Sequence, residues 1–382
     1  MRSVYLDNNA TTRVDPEVVA AMLPFFTENF GNPSSLHHFG TEAKTALRSA
    51  RQHLQNLLGA AFEQEIIYTS GGTESDNTAI LSALAMQPDR DEIITSAVEH
   101  PAILSLCAWL KKNRGIKVHY IPVKANGHLD IEAYRAALSP RTALVSFMWA
   151  NNETGVIFPI AQLSKIAREA GALFHTDAVQ AVGKIAIDLK NSDIDMLSLS
   201  GHKLHGPKGI GALYVRKGIK IQPLIRGGHQ ERGRRGGTEN MPAIVGLGVT
   251  AQLTAAHLSA ENAYIQPLRD RLEQGLLHSI SNSMVIGDKE NRLSNTLNIA
   301  FEHIEGEAIL TFLNKAGIAA SSGSACASGS MEPSHVLRAM KVPYMFAHGA
   351  IRFSFSRDNT EEDVDYVLSV MPAIINNFKK QR

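Results

Sequence analysis

Cysteine is nearly missing. The 382 residues contain two, Cys107 and Cys326, far apart and with no C-x-x-C spacing. That excludes a disulfide framework and a cysteine-based zinc site, and it points to a reducing cytoplasm. Charge of either sign is not in excess: 38 Lys and Arg face 37 Asp and Glu, for a formal net charge of +1. Neither a nucleic-acid-binding surface nor an acidic tail fits that balance. No apolar stretch reaches membrane-spanning length, and the opening MRSVYLDNNATT lacks a charged-then-apolar leader. Internal repeats and low-complexity linkers are lacking as well. What remains is a globular composition, 44% hydrophobic and 20% charged, on a chain long enough for about two to three domains.

Strand-like and helix-like segments alternate through the first two thirds. Strands are expected at Glu65–Thr69, Glu92–Ser96, Val118–Pro122, Thr142–Trp149, Leu173–Thr176, Met196–Leu199 and Ala212–Val215. Helical patterns at Glu74–Met86, Pro101–Lys112 and Ile160–Ala170 lie between several of them. Such alternation predicts an α/β fold with a mostly parallel sheet flanked by helices. Thr73 and Asp76 are spaced as a capping box for the helix that follows SGG. Asp15 and Pro16 read as the cap and first position of another helix. After about residue 250 the pattern changes. A long helix from Pro242 past Tyr264 leads to strands at Thr296–Phe301, Ile318–Ser321 and Ile351–Phe355. The end is an amphipathic helix capped by Thr360 and Asp363. The division expected is a large domain, residues 15–255, and a smaller α+β domain, residues 1–14 with 256–382.

In an open α/β sheet, ligands bind beyond the carboxyl ends of the strands. Polar clusters stand there: TSGGTESDN (69–77), WANNETG (149–155), HTDAVQ (175–180) and SGHKLHGPKG (200–209). Gly71-Gly72-Thr73 at a helix N-terminus suits a phosphate. Asp177 suits a cationic ring nitrogen, and Lys203 a Schiff base with an aldehyde. Those are the three handles of pyridoxal 5'-phosphate. Alone, each is weak: the first reads as a helix-opening turn and the second as a cap. Their coincidence favours the cofactor. Lys208, five residues on, is the competing amine. His202 and His205 lie three apart on a turn with no third ligand nearby, so no metal site is assigned.

These motifs, with YLDNNATT (5–12), FGNPSSLH (30–37), VEHPA (98–102), RGGHQERGRRGGTEN (226–240) and SSGSACASG (321–329), resemble those of the cysteine desulfurases. That family is part of the class V group of fold-type I pyridoxal-phosphate transferases. The resemblance spans essentially the whole chain in order and is nearest to the nitrogen-fixation branch; the housekeeping branch is the alternative. It implies that Lys203 carries the cofactor, that Asp177 holds the ring nitrogen, and that Gln180 faces the ring hydroxyl. Gly72, Thr73, Ser200, Gly201 and His202 then contact phosphate or cofactor. Asn152 reaches the cofactor–substrate region, and His100 stacks on the ring as an acid–base candidate. Thr238 is implied to reach the phosphate of a second subunit, hence a homodimer. L-cysteine is the implied substrate, and an iron–sulfur scaffold of the NifU kind is the implied sulfur acceptor.

Two residues have readings of their own. In GAIRFSFSR, Arg352 alternates with Ile351 and Phe353, so it leaves the apolar face of its strand. A forked guanidinium facing a cleft suits a carboxylate, and the family implies the substrate's own; a surface ion pair is the blander alternative. Cys326 sits among Gly, Ser and Ala, a composition that favours an exposed loop and a nucleophilic thiol. Cys107, in LSLCAWL, reads as a buried structural residue. A selenocysteine lyase or class V aminotransferase would share everything but the need for Cys326. A non-catalytic sulfur-carrier subunit would not need Lys203, Asp177 and His100 together.

Overall fold

A computed structural model of the chain describes residues 2–322 and 332–379. After a two-residue strand, β1 (Val4–Tyr5), the chain winds seven strands into the main sheet. They are β2 (Ile66–Thr69), β3 (Glu92–Ser96), β4 (Lys117–Ile121), β5 (Thr142–Met148), β6 (Leu173–Asp177), β7 (Met196–Ser200) and β8 (Gly211–Val215). Their spatial order is β2-β8-β7-β6-β5-β3-β4. Only β8 runs against the rest, pairing antiparallel with β7 and β2. Every residue of β2, β3, β5, β7 and β8 is buried, as expected for a sheet covered on both faces. Ile66 and Tyr68 belong to one apolar layer and Ile67 to the other, the two-residue alternation of a strand.

The later strands form smaller units. β9 (Ser283–Val285), β10 (Thr296–Phe301) and β12 (Ala350–Ser354) make an antiparallel sheet with β10 central. β11 (Ile318–Ala319) pairs in parallel with β1. A separate apolar cluster, from Val4 and Leu6 to Phe353 and Ile375, includes residues of both units.

The caps were partly legible. Asp15 accepts from Glu17 N, with Pro16 at the first helical position. Thr360 and Asp363 cap each other's amides. The expected Thr73/Asp76 box does not form: helix Gly72–Ala85 starts behind Gly71, with no side-chain cap, and Asp76 is buried. Helix His38–Leu58 was not expected at all. Its buried stripe opens on Gly40, Ala43 and Ala50, residues too small to mark an apolar face. They let helix Met241–Ser279 come close: a Cβ on Gly248 would stand 2.5 Å from Ala50.

That long helix corrects one expectation. An 18-residue window in it has mean hydropathy 1.3, so by length and composition it could span a membrane. Its Met241, Ile244, Leu247, Ala251 and Thr254 are buried within the protein, and the core-helix reading accounts for the same composition.

Candidate active site

Beyond the carboxyl ends of β5, β6 and β7 lies a cavity of about 470 Å³. β6 delivers Asp177, and the residues after β7 make one tight turn, Gly201–Lys203, that swings Lys203 to the same opening. Its Nζ donates to the carbonyls of Asn9 and Ala10 at 2.5 and 2.6 Å. The question of which lysine matters is thereby narrowed: Lys208 is exposed and lines an open depression beside Ser70–Thr73, not the cavity. Gly72, Thr73, His100, Asn152, Gln180, Ser200, His202 and Arg352 also line the cavity. Gly201 is buried and does not line it, and Thr238 is exposed on a loop outside it. Cys326 lies outside the described residues.

Asp177 is 6% exposed, and its Oδ1 accepts from Val179 N at 3.0 Å. Burial pushes its carboxyl up, while the Val179 amide, His100 and Lys203 pull it back. A second carboxyl shares the site. Burial, and then Asp177, push Asp76 well above the usual range, and its Oδ1 stands 3.6 Å from His175 Nε2. Two carboxylates so placed do not both ionise cheaply. Of the two, only Asp177 has His100 and Lys203 near it to favour the charged form. Sequence reading spent Asp76 on a cap. Nothing local could show that it faces the sheet.

His100 combines its blander and its functional readings. It caps helix Pro101–Arg114 by accepting from Ala102 N at Nδ1, 3.2 Å away. A neutral ring that accepts there carries its proton on Nε2. Burial lowers its pKa, as does Lys203, with Asp177 opposing. His202, tied to Thr11 Oγ1 at 3.1 Å, is pushed down to about 4, first by burial and then by Lys203.

Arg352 is 2% exposed and leaves the apolar face of β12 as expected. Its Nη2 donates to Asp7 Oδ1 at 2.7 Å and its Nη1 to the carbonyl of Asn152 at 2.9 Å. Nε has no partner among the described residues. This is a buried, aimed cation with donors to spare, not a surface ion pair.

The residues present fit pyridoxal 5'-phosphate. Gln180 donates through Nε2 to Asn9 O, and its buried Oε1 has no partner among the described residues, an acceptor that suits a ring hydroxyl. At Gly72 any Cβ would meet Val179 Cγ2 at 2.7 Å, so the chain stays bare where a phosphate would approach the helix N-terminus. A buried carboxylate and an amine complete the set. A lysine, a carboxylate and a buried arginine around one cavity suit a pyridoxal-phosphate enzyme that handles amino acids.

The comparisons agree. Residues 4–367 match the aminotransferase class-V family. A cysteine desulfurase of Gluconacetobacter diazotrophicus is 71% identical over 100% of this chain and 95% of its own. The cysteine desulfurase NifS of Azotobacter vinelandii is 61% identical over 99% and 94%. Among solved structures, a NifS-like protein superposes with a TM-score of 0.92 at 39% identity, covering 98% of this chain and all of that one. Another, SspA in complex with cysteine, gives 0.81 at 35% identity, over 93% and 99%. The chain belongs to the aminotransferase class-V family and, within it, to the cysteine desulfurases, which are pyridoxal-phosphate enzymes.

One buried acid makes a testable stability switch. Burial pushes Glu99 up to about 8 from an ordinary 4.5, although Ser96 Oγ and Met148 N both donate to it. Between those values the folded state keeps a proton that the unfolded chain has released. Stability therefore falls as pH rises through that window. Glu99→Gln, neutral at every pH, should flatten the fall in apoprotein melting temperature between about pH 5 and 8. Parallel curves for variant and wild type would mean that Glu99 is ionised in the folded protein.

Proposed function

We propose that the enzyme converts L-cysteine to L-alanine and takes the sulfur onto Cys326 as a persulfide. The carrying observation is the placement of Lys203, Asp177 and Arg352 around one cavity. Bound there, the cofactor supplies an electron sink beside the substrate's α-carbon. The protein does the rest. Arg352 takes the α-carboxylate on the N–H groups that Asp7 and Asn152 leave over. Asp177 would hold a positive ring nitrogen, and Gln180 Oε1 would accept from the ring hydroxyl. Lys203 Nζ removes the α-proton and later returns a proton to the carbon skeleton. His100, protonated on Nε2, is the second proton carrier at the cavity wall. Cys326 Sγ attacks the substrate sulfur, so that the carbon–sulfur bond breaks as the sulfur–sulfur bond forms. L-cysteine and a thiol become L-alanine and a persulfide, with atoms and electrons balanced. The solved relative described as holding cysteine supports the substrate.

The wider setting is read from the same sources. Similarity to a NifS protein supports sulfur supply to nitrogenase through a NifU-like scaffold, in the cytoplasm. Exposed Leu23, Phe26, Phe30 and Leu36 offer apolar surface to a second copy. Thr238 lies outside its own chain's cavity, which suits a role in the partner's. Sedimentation should give twice the chain mass; a monomer would sink the homodimer. The separate apolar cluster supports two domains, residues 15–255 and residues 1–14 with 256–382.

The test is an assay with L-cysteine and a thiol reductant. Alanine and sulfide should appear in equal amounts, and Asp177→Asn should lose about 10²–10³-fold in turnover, the usual cost of one preorganised electrostatic contact. Amino transfer to a keto acid in place of alanine release would overturn the reading.

A further inference from the structure

Asn9 stands in a stretch to which sequence reading gave no role. It is 1% exposed, lines the cavity, and uses every hydrogen-bonding group it has. Its amide N–H donates to Ser354 Oγ at 2.9 Å. Its carbonyl accepts from Lys203 Nζ at 2.5 Å and from Gln180 Nε2 at 2.9 Å. Its Oδ1 accepts from Asn295 Nδ2 at 3.0 Å. Its Nδ2 donates to Thr296 Oγ1 at 2.8 Å and to the carbonyl of Asn152 at 3.2 Å.

The last contact links the two ends of the site. That same Asn152 carbonyl receives Arg352 Nη1, while Arg352 Nη2 is held by Asp7, two residues before Asn9. Both branches of the guanidinium are thus aimed by residues 7–9 or by a carbonyl that Asn9 pins. The main chain of Asn9 touches the amine end of the cavity, and its side chain sets the carboxylate end. Ser354 and Thr296 tie it to β12 and β10, so the spacing between Lys203 and Arg352 runs through this residue. A buried group with every partner satisfied is rigid enough for that work.

We propose that Asn9 is a positioning residue whose side chain, through the Asn152 carbonyl, aims Arg352 at the substrate's α-carboxylate. The proposal rests on the assignment of Arg352 made above. It separates two functions that a generic packing role would not. Asn9→Ala keeps the main-chain carbonyl that holds Gln180 and leaves Lys203 and Asp177 in place, so the absorption spectrum of the holoenzyme should be unchanged. It removes the hold on Asn152, so carboxylate recognition should suffer.

The probes are L-alanine, which carries the carboxylate, and L-alaninamide, its neutral isostere. Equilibrium dissociation constants are read on the holoenzyme by absorbance titration, without turnover. Wild type should bind L-alanine the more tightly. In Asn9→Ala that preference should shrink about tenfold, through weaker L-alanine binding alone, the cost of misdirecting one charged hydrogen bond. For L-cysteine, KM should rise by a similar factor while kcat stays within about twofold. If Asn9→Ala does not fold, Asn9→Ser, one atom shorter, is measured in the same way. A variant that loses thermal stability but keeps the wild-type preference overturns the proposal alone. A wild type with no preference for L-alanine overturns the Arg352 assignment, and this proposal with it.

Discussion

Lys203→Ala should abolish turnover, by at least about 10⁴-fold, and should erase the visible band that the cofactor gives when joined to a lysine. In the proposed mechanism the residue supplies both the attachment point and the proton carrier at the α-carbon. Two other lysines are near enough to matter. Lys208 is exposed beside Ser70–Thr73. Lys184 is the stricter competitor: burial, then Lys203, pushes its amine down to about 7, so that much of it is neutral and nucleophilic at working pH. Its Nζ, however, donates to Gln180 O at 3.2 Å and lines a small second cavity behind Lys203. Borohydride reduction of the wild type, followed by peptide mapping, should label Lys203. Label on Lys184 or Lys208 would contradict the assignment, and so would a visible band retained by Lys203→Ala.

Cys326→Ala should separate binding from sulfur removal. Its cofactor spectrum should match wild type, because every contact assigned to the cofactor comes from other residues. L-cysteine should still bind and perturb that spectrum through Lys203 and Arg352. Alanine and sulfide release should fall to background, because no thiolate is left to take the sulfur. Cys107 is no substitute. It is fully buried, and burial pushes its thiol up to about 12, so it is not a thiolate at neutral pH. Cys107→Ala should cost stability and leave the rate alone. Desulfuration by Cys326→Ala at the wild-type rate would favour a selenocysteine lyase or an aminotransferase.

How much of this was visible in the sequence depended on how local the cause was. Strands such as Glu92–Ser96 and Thr296–Phe301 were read to the residue, because apolar runs between turns are a local signal. Asp177, Lys203 and the Gly72 turn were legible because a parallel sheet brings its strand ends to one place. That Arg352 leaves the apolar face of its strand was legible from two-residue alternation. Residues placed by distant partners were not. Arg352 and Asp7 are 345 positions apart, and Asn9 and Asn295 are 286 apart. No spacing rule joins them. Asp76 failed differently: its position relative to Thr73 satisfied a local capping rule, and burial against β6 and β7 overrode it. His335, on the cavity wall with Nε2 against the Glu99 carbonyl at 2.8 Å, was passed over because its helix is only five residues long.

The central claim is that sulfur moves from L-cysteine to Cys326. The most direct test reacts the holoenzyme with about one equivalent of L-cysteine per site, without reductant, and then digests it for mass analysis. The account predicts one alanine released per site and a gain of one sulfur atom on the peptide containing Cys326. Alanine released with that peptide unchanged, or with the added sulfur on Cys107, would contradict it.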